Sequence, residues 1–263
     1  MEYCTLNNGQ KMPMIGFGTW DVHKEDTILQ AIEVGYRLFD TAQMYGNESV
    51  VGKAIKKSGM DRNEFFITTK LSHDIQTIDE TLDCIQSSLN TLQMDYVDCL
   101  LVHEPYKHSI EMYKACEIAL ERGWTRSIGV SNFNSGFLKN VLENTDIVPV
   151  INQIESHVYY PQFSYKSEMN ELGIQMQAWA PFTEGRRNIF SEPILLSIRQ
   201  KYGKTSGQVA LRYLVQNGIL VIPKSSHKER MKENLDIFDF ILDEDDLKKL
   251  NSLNINRSLF GWY

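Results

Sequence analysis

From residue 15 onward, short apolar runs at 15–18, 38–40, 66–70, 97–102, 127–130, 150–154, 174–178 and 220–222 alternate with longer stretches of mixed polarity. Runs this short, with no regular polar alternation, predict parallel strands buried on both faces. The clearest intervening stretch carries Ile75, Ile78, Leu82, Ile85, Leu89 and Leu92, whose spacing of three and four lines one face of a helix. Helical patterns also cover 26–34, 48–57, 109–121, 135–143, 164–171, 194–201, 206–216 and 228–235, and another surrounds 243–253. Two of them fall before the last strand, so one is an addition to a strict strand–helix repeat.

Eight strand–helix units with right-handed crossovers close most economically as a (β/α)8 TIM barrel, although an open doubly wound sheet uses the same pattern. The count favours the barrel, and no GxGxxG follows the first strand as it would in a dinucleotide-binding open sheet. Residues 3–6 and 11–14 flank Asn8-Gly9, a strong two-residue turn signal, and predict an N-terminal β-hairpin capping the barrel's bottom. A length of 263 residues suits one barrel domain, 1–263, with extra helices.

Composition narrows the partners. The net charge is −7 and no long basic run occurs, which argues against nucleic acid or an anionic membrane surface and for a small-molecule partner. No apolar run approaches the ~20 residues of a membrane span, and the start MEYCTLNNGQKMP lacks the basic and apolar segments of a signal peptide. Cys4, Cys84, Cys99 and Cys116 have neither CxxC spacing nor the density of a disulfide scaffold, so they read as reduced, packed thiols. A cytoplasmic, monomeric protein is the expectation.

In a barrel, chemistry sits at the C-terminal ends of the strands. Asp40 ends the second run, Tyr45 lies in the loop after it, Lys70 ends the third, and His103 follows the fourth. Three consecutive strands are neighbours, so these four residues describe a proton-donating device. A phenol with an ordinary pKa near 10 is a weak acid at neutral pH, and an adjacent ammonium is expected to lower that value. Asp40 would hold Lys70 charged and oriented, and His103 would hydrogen-bond the carbonyl oxygen that receives the proton. A carbonyl reduced in this way needs a hydride from a cofactor.

GFGTW (16–20), FDTAQMYGNE (39–48), TTKL (68–71), LLVHEP (100–105), GVSNF (129–133), NQIE (152–155) and IPKSSHKERMKEN (222–234) together resemble the aldo-keto reductases, in order and across nearly the whole chain. Within that family the chain resembles the small, short-tailed, prokaryote-like diketogulonate and glyoxal reductases. The resemblance implies a (β/α)8 barrel, NADPH-dependent carbonyl reduction, and a catalytic tetrad of Asp40, Tyr45, Lys70 and His103. It places Ser131, Asn132 and Gln153 at the nicotinamide carboxamide, and Trp179 where a ring stacks on the nicotinamide. Lys224, Ser225, Ser226 and Arg230 fall around a helix N-terminus suited to the 2′-phosphate, with Glu233 and Asn234 at the adenine. Thr19, Trp20, Asp40 and Phe182 complete the implied NADPH/NADP+ contacts. For the substrate, Trp20, Tyr45, His103 and Glu104 are the implied walls.

Two departures bear on the substrate. Glu104 stands where many members carry a Trp, and a carboxylate facing the pocket would disfavour anionic carbonyls. The chain reaches SLFGWY without the long loop of steroid-reducing members, so Phe260, Trp262 and Tyr263 either cover the opening or dock on the barrel wall. Small aldehydes and dicarbonyls are the expected substrates. The competing readings are a catalytically weak, cofactor-binding regulatory or structural barrel, and a metal-dependent hydrolase. The hydrolase is disfavoured because His23, His73, His103, His108, His157 and His227 show no paired ligand spacing.

Overall fold

The computed structural model of the protein describes residues 2–261. Strands β1 (Tyr3–Thr5) and β2 (Lys11–Pro13) form the expected antiparallel hairpin, and Gly9 supplies the left-handed backbone at the turn, φ 84°. Its tip is tied to the barrel by Asn8 Nδ2, which donates to Arg126 O at 3.1 Å and Ser127 Oγ at 3.0 Å, and by Asn7 Nδ2, which donates to Pro149 O at 3.0 Å.

Eight parallel strands follow in sequence order: β3 (Phe17–Gly18), β4 (Leu38–Asp40), β5 (Phe66–Leu71), β6 (Cys99–Val102), β7 (Ile128–Ser131), β8 (Ile151–Glu155), β9 (Gln175–Trp179) and β10 (Leu220–Val221). The sheet closes on itself. Gly16 N donates to Val221 O at 2.8 Å, Val221 N to Met14 O at 3.0 Å, and Ile15 bridges Val221 in parallel, which excludes the open doubly wound alternative. The wall is tight at this seam, because a Cβ on Gly18 would lie 2.7 Å from Ile222 O.

Around the barrel lie α1 (Glu25–Val34), α2 (Glu48–Lys57), α3 (Ile78–Leu92), α4 (Ser109–Glu121), α5 (Ser135–Asn144), α6 (Phe163–Glu171), α7 (Pro193–Tyr202), α8 (Ser206–Gln216), α9 (Lys228–Leu235) and α10 (Glu244–Asn251). The apolar stripe overshoots the start of α3. Thr77 and Glu80 form a reciprocal capping box there, with Glu80 N donating to Thr77 Oγ1 and Thr77 N to Glu80 Oε2, so Ile75 lies in the preceding loop. Of the two helices before β10, α8 is buried from Ser206 to Val215 and packs on β10. In contrast, α7 buries only Leu195 and Ile198 and packs on the helices α8 and α10, so α7 is the addition. Among the described residues no helix is long and apolar enough to cross a membrane.

Candidate active site

The strand ends deliver the four polar residues to one place. Asp40 is the last residue of β4, and the chain then makes a single 3₁₀ turn, Gln43–Tyr45, ended by Gly46 at φ 64°. Asn47 anchors this loop from beneath, donating through Nδ2 to Thr19 O (2.7 Å) and Val22 O (2.9 Å) and accepting from Thr41 Oγ1 (2.8 Å). Lys70 lies within β5, and His103 follows β6 directly.

Lys70 is fully buried, and its Nζ has three oxygen partners: Asp40 Oδ1 at 2.5 Å, Thr41 O at 2.9 Å and Tyr45 Oη at 3.2 Å. Three N–H groups meet three acceptors, so no donor of the ammonium is stranded. The other carboxylate oxygen of Asp40 accepts from Gln153 Nε2 at 2.7 Å, and the same nitrogen donates to Gln177 Oε1 at 2.7 Å. A polar chain therefore crosses the barrel interior from Gln177 to Tyr45.

Burial works against the Lys70 charge, but Asp40 and the phenol outweigh it and the net shift is upward. Burial pushes the Asp40 carboxyl up as well, opposed by Lys70 and Gln153. The two directions conflict on whether the pair is ionised. Geometry decides for the ion pair, because the contact is short and each charge has further polar partners.

Tyr45 departs from expectation. Its phenol is pushed up by burial, and Lys70 lowers it by less than burial raises it. The lysine therefore tempers the phenol without ionising it, and at neutral pH Tyr45 holds the proton it would have to give. Burial, with the nearby charge of Lys70, drives His103 down to about 2, so its imidazole is neutral. Its ring lies 5.8 Å from that of Tyr45, and Trp20 stands edge-on to Tyr45 at 5.0 Å.

These rings open into a cavity of about 650 Å³, to which Thr19, Ser131, Gln153, Phe182 and Lys224 also contribute. Glu104 lines the cavity, and its Oε1 accepts from Asn132 Nδ2 at 2.8 Å. Asn132 Oδ1 in turn accepts from Trp179 Nε1 at 2.7 Å, and Asn132 holds a left-handed backbone, φ 63°. Ser131 Oγ donates to Gln153 O at 2.9 Å.

At the edge of the cavity, the β10–α9 loop and the first turn of α9 present Lys224, Ser226 and Arg230 at an exposed helix start with no side-chain cap, while Ser225 Oγ accepts from His227 N at 3.1 Å and Ser225 is buried. Glu233 is exposed, whereas Asn234 is buried, on the side of α9 where the Tyr36 phenol donates to Met231 O at 3.4 Å. The residues present fit a nicotinamide dinucleotide phosphate. Uncapped N–H groups and two cations suit a phosphate, and the cavity joins that end to Tyr45 and His103.

Pattern reading missed the clamp on the tail. Glu155, at the end of β8, accepts from Ser258 Oγ at 2.5 Å and Leu259 N at 2.8 Å and lies 2.9 Å from His157 Nε2. Phe260 is thereby set edge-on to Trp179 at 4.8 Å and under Arg186 at 4.9 Å, as part of the cavity wall. Glu155 stands within the motif NQIE, but Ser258 and Leu259 lie 103 and 104 residues away and share no pattern with it. Trp262 and Tyr263 lie outside the described residues. Among those described, no group of three His, Cys, Asp or Glu could hold a metal ion.

A test of the site's electrostatics follows from His103. An unfolded histidine titrates near 6.5, and in the fold this one titrates at about 2. Between those values the unfolded chain binds the extra proton, so destabilisation sets in below pH 6.5 and grows as pH falls, by up to ~1.4 kcal/mol per unit. Urea unfolding of the protein and of His103→Gln at pH 7, 6 and 5 is expected to show a shallower loss in the variant. Equal slopes would contradict a buried neutral imidazole.

Comparison with known proteins agrees with this geometry. The model of the Aldo/keto reductase family matches residues 14–255. An aldo-keto reductase of Mycolicibacterium smegmatis is 39% identical over 97% of this chain and 94% of its own. The methylglyoxal reductase DkgA of Escherichia coli is 37% identical over 97% and 94%. A Bombyx mori aldo-keto reductase solved in complex with NADP superposes with a TM-score of 0.91 at 33% identity, covering 98% of this chain and 94% of its own. The chain belongs to the aldo/keto reductase family and is an NADP-dependent oxidoreductase acting on carbonyl groups.

Proposed function

We propose that this protein reduces small aldehydes and dicarbonyls, with Tyr45 as the general acid. The observation that carries this reading is the Lys70 ammonium held between Asp40 and the Tyr45 hydroxyl, 2.5 Å from one and 3.2 Å from the other. When bound, NADPH supplies the hydride. Tyr45 donates its proton to the carbonyl oxygen, and Lys70 stabilises the phenolate left behind; Asp40 keeps Lys70 charged and in place. His103, being neutral, orients the carbonyl oxygen by donating a hydrogen bond.

Ser131, Asn132 and Gln153 hold the nicotinamide carboxamide. Because the Gln153 amide nitrogen is committed to Asp40 and Gln177, its carbonyl oxygen is the group left to accept from a ligand. Trp179 provides a stacking face, and Thr19, Trp20 and Phe182 close the cofactor groove. Lys224, Ser225, Ser226 and Arg230 take the 2′-phosphate, with Glu233 at the adenine and Asn234 setting the helix that carries it.

The substrate class rests on the cavity mouth. Trp20, Trp179 and Phe260 give it aromatic walls, and Glu104 adds a carboxylate that repels anionic carbonyls. The E. coli relative is named for methylglyoxal, a small neutral dicarbonyl. Residues 1–263 would act as one barrel domain, monomeric and cytoplasmic, with no nucleic-acid partner.

Replacing Tyr45 with Phe keeps the ring and removes the transferable proton. NADPH binding is expected to persist while aldehyde reduction falls by at least ~10²-fold, the lower end of general acid catalysis. Near-parental turnover at saturating NADPH would remove Tyr45 from that role.

Arg230 offers a planar fork to a phosphate that NADH lacks. Arg230→Ala is expected to weaken NADPH binding by roughly tenfold or more, leave NADH binding little changed, and bring the two affinities together. Fluorescence titration with each cofactor measures this. Equal losses for both would withdraw Arg230 from the 2′-phosphate site.

A further inference from the structure

The hydroxyl of Ser72 links His103 to the backbone of the turn that carries Tyr45. Ser72 is 1% exposed and follows the last residue of β5. Its Oγ lies 3.0 Å from His103 Nδ1, accepts from Met44 N at 3.1 Å, and has a longer alternative acceptor, Lys70 O, at 3.3 Å. Its own N–H donates to Gln43 Oε1 at 3.0 Å, and Gln43 Nε2 reaches Ser88 Oγ at 2.9 Å and Cys84 O at 3.2 Å on α3. Met44 and Gln43 belong to the turn that carries Tyr45, so one serine braces that turn and the imidazole together.

A serine hydroxyl has one hydrogen to give, and a neutral imidazole has one N–H. Two arrangements satisfy the three atoms. In one, Oγ–H points to Nδ1, and the ring proton sits on Nε2. In the other, Nδ1–H points to Oγ, Oγ–H turns to Lys70 O, and Nε2 carries a bare lone pair. Only the first lets His103 donate to a carbonyl oxygen through Nε2; the second sets lone pair against lone pair. The shorter contact, 3.0 Å against 3.3 Å, favours the first.

We infer that Ser72 is a positioning residue for carbonyl reduction: its hydroxyl holds His103 in the Nε2–H tautomer and, by accepting from Met44 N, ties that ring to the turn bearing Tyr45. This rests on the roles proposed above for Tyr45 and His103, but the tautomer is observable without turnover. Long-range ¹H–¹⁵N spectra of histidine-labelled protein distinguish a protonated ring nitrogen from a bare one. The intact protein is expected to show His103 with Nδ1 bare and Nε2 protonated. Ser72→Ala is expected to spread the proton over both nitrogens and to lower kcat for an aldehyde roughly tenfold, the scale of one buried hydrogen bond, at unchanged NADPH affinity. Ser72→Thr, which keeps the hydroxyl, is expected to restore both.

An Nδ1-protonated His103 in the intact protein would overturn the inference whatever the variants do. So would an unchanged tautomer in folded Ser72→Ala, even if kcat fell. If Tyr45→Phe proved active, the proposed acid would be wrong, while the spectra would still decide what Ser72 does to His103.

Discussion

A lysine ammonium and an aspartate carboxylate lie 2.5 Å apart with almost no surface exposed to water. Removing two such ions from water costs several kcal/mol each, and the attraction between them offsets that only with good geometry and further hydrogen bonds. Thr41, Tyr45 and Gln153 supply those bonds, and Gln177 accepts from Gln153 in turn, so the barrel interior is arranged around one charged pair. Taking away either partner leaves an uncompensated ion in the core. The pair therefore depends on the register of β4 against β5, in which Asp40 lies opposite Thr68, two residues before Lys70.

The position of the phenol follows from this constraint. Tyr45 sits on a single short turn directly after the strand that ends in Asp40, and Asn47 fixes that turn to the β3–α1 loop. Burial alone would make the phenol a poor acid by stranding the phenolate, and Lys70 reduces that penalty at the one place where charge must develop. Burial also keeps His103 neutral, which leaves it an N–H donor beside the Lys70 charge. One low-dielectric pocket thus gives two ionisable groups the protonation states that carbonyl reduction needs.

Much of this was legible in the residues. Alternating runs located all eight barrel strands, because buried parallel strands leave an apolar signature that helices do not share. Asp40, Tyr45, Lys70 and His103 stood out because each ends or follows such a run. The apolar stripe does not mark the start of α3, because it continues through Ile75, whereas the capping box at Thr77 sets the boundary. The upward shift of the Tyr45 phenol was hidden for a different reason, since desolvation depends on everything packed around the ring. Partners distant in sequence were invisible as well. Glu155 reaches Ser258 and Leu259, Glu104 reaches Asn132, and Ser72 reaches His103, all through tertiary contacts between residues that carry no periodic signal.

The coupling of Lys70 to Tyr45 is tested most directly by titrating the phenol itself. Protein labelled with ¹³C at the tyrosine ζ carbon, with NADP+ bound, reports the ionisation of Tyr45, assigned by its absence in Tyr45→Phe. The phenol is expected to titrate at higher pH in Lys70→Met than in the intact protein, because burial remains and the opposing charge is gone. A Tyr45 titration that is unchanged, or lowered, in a folded Lys70→Met protein would contradict it.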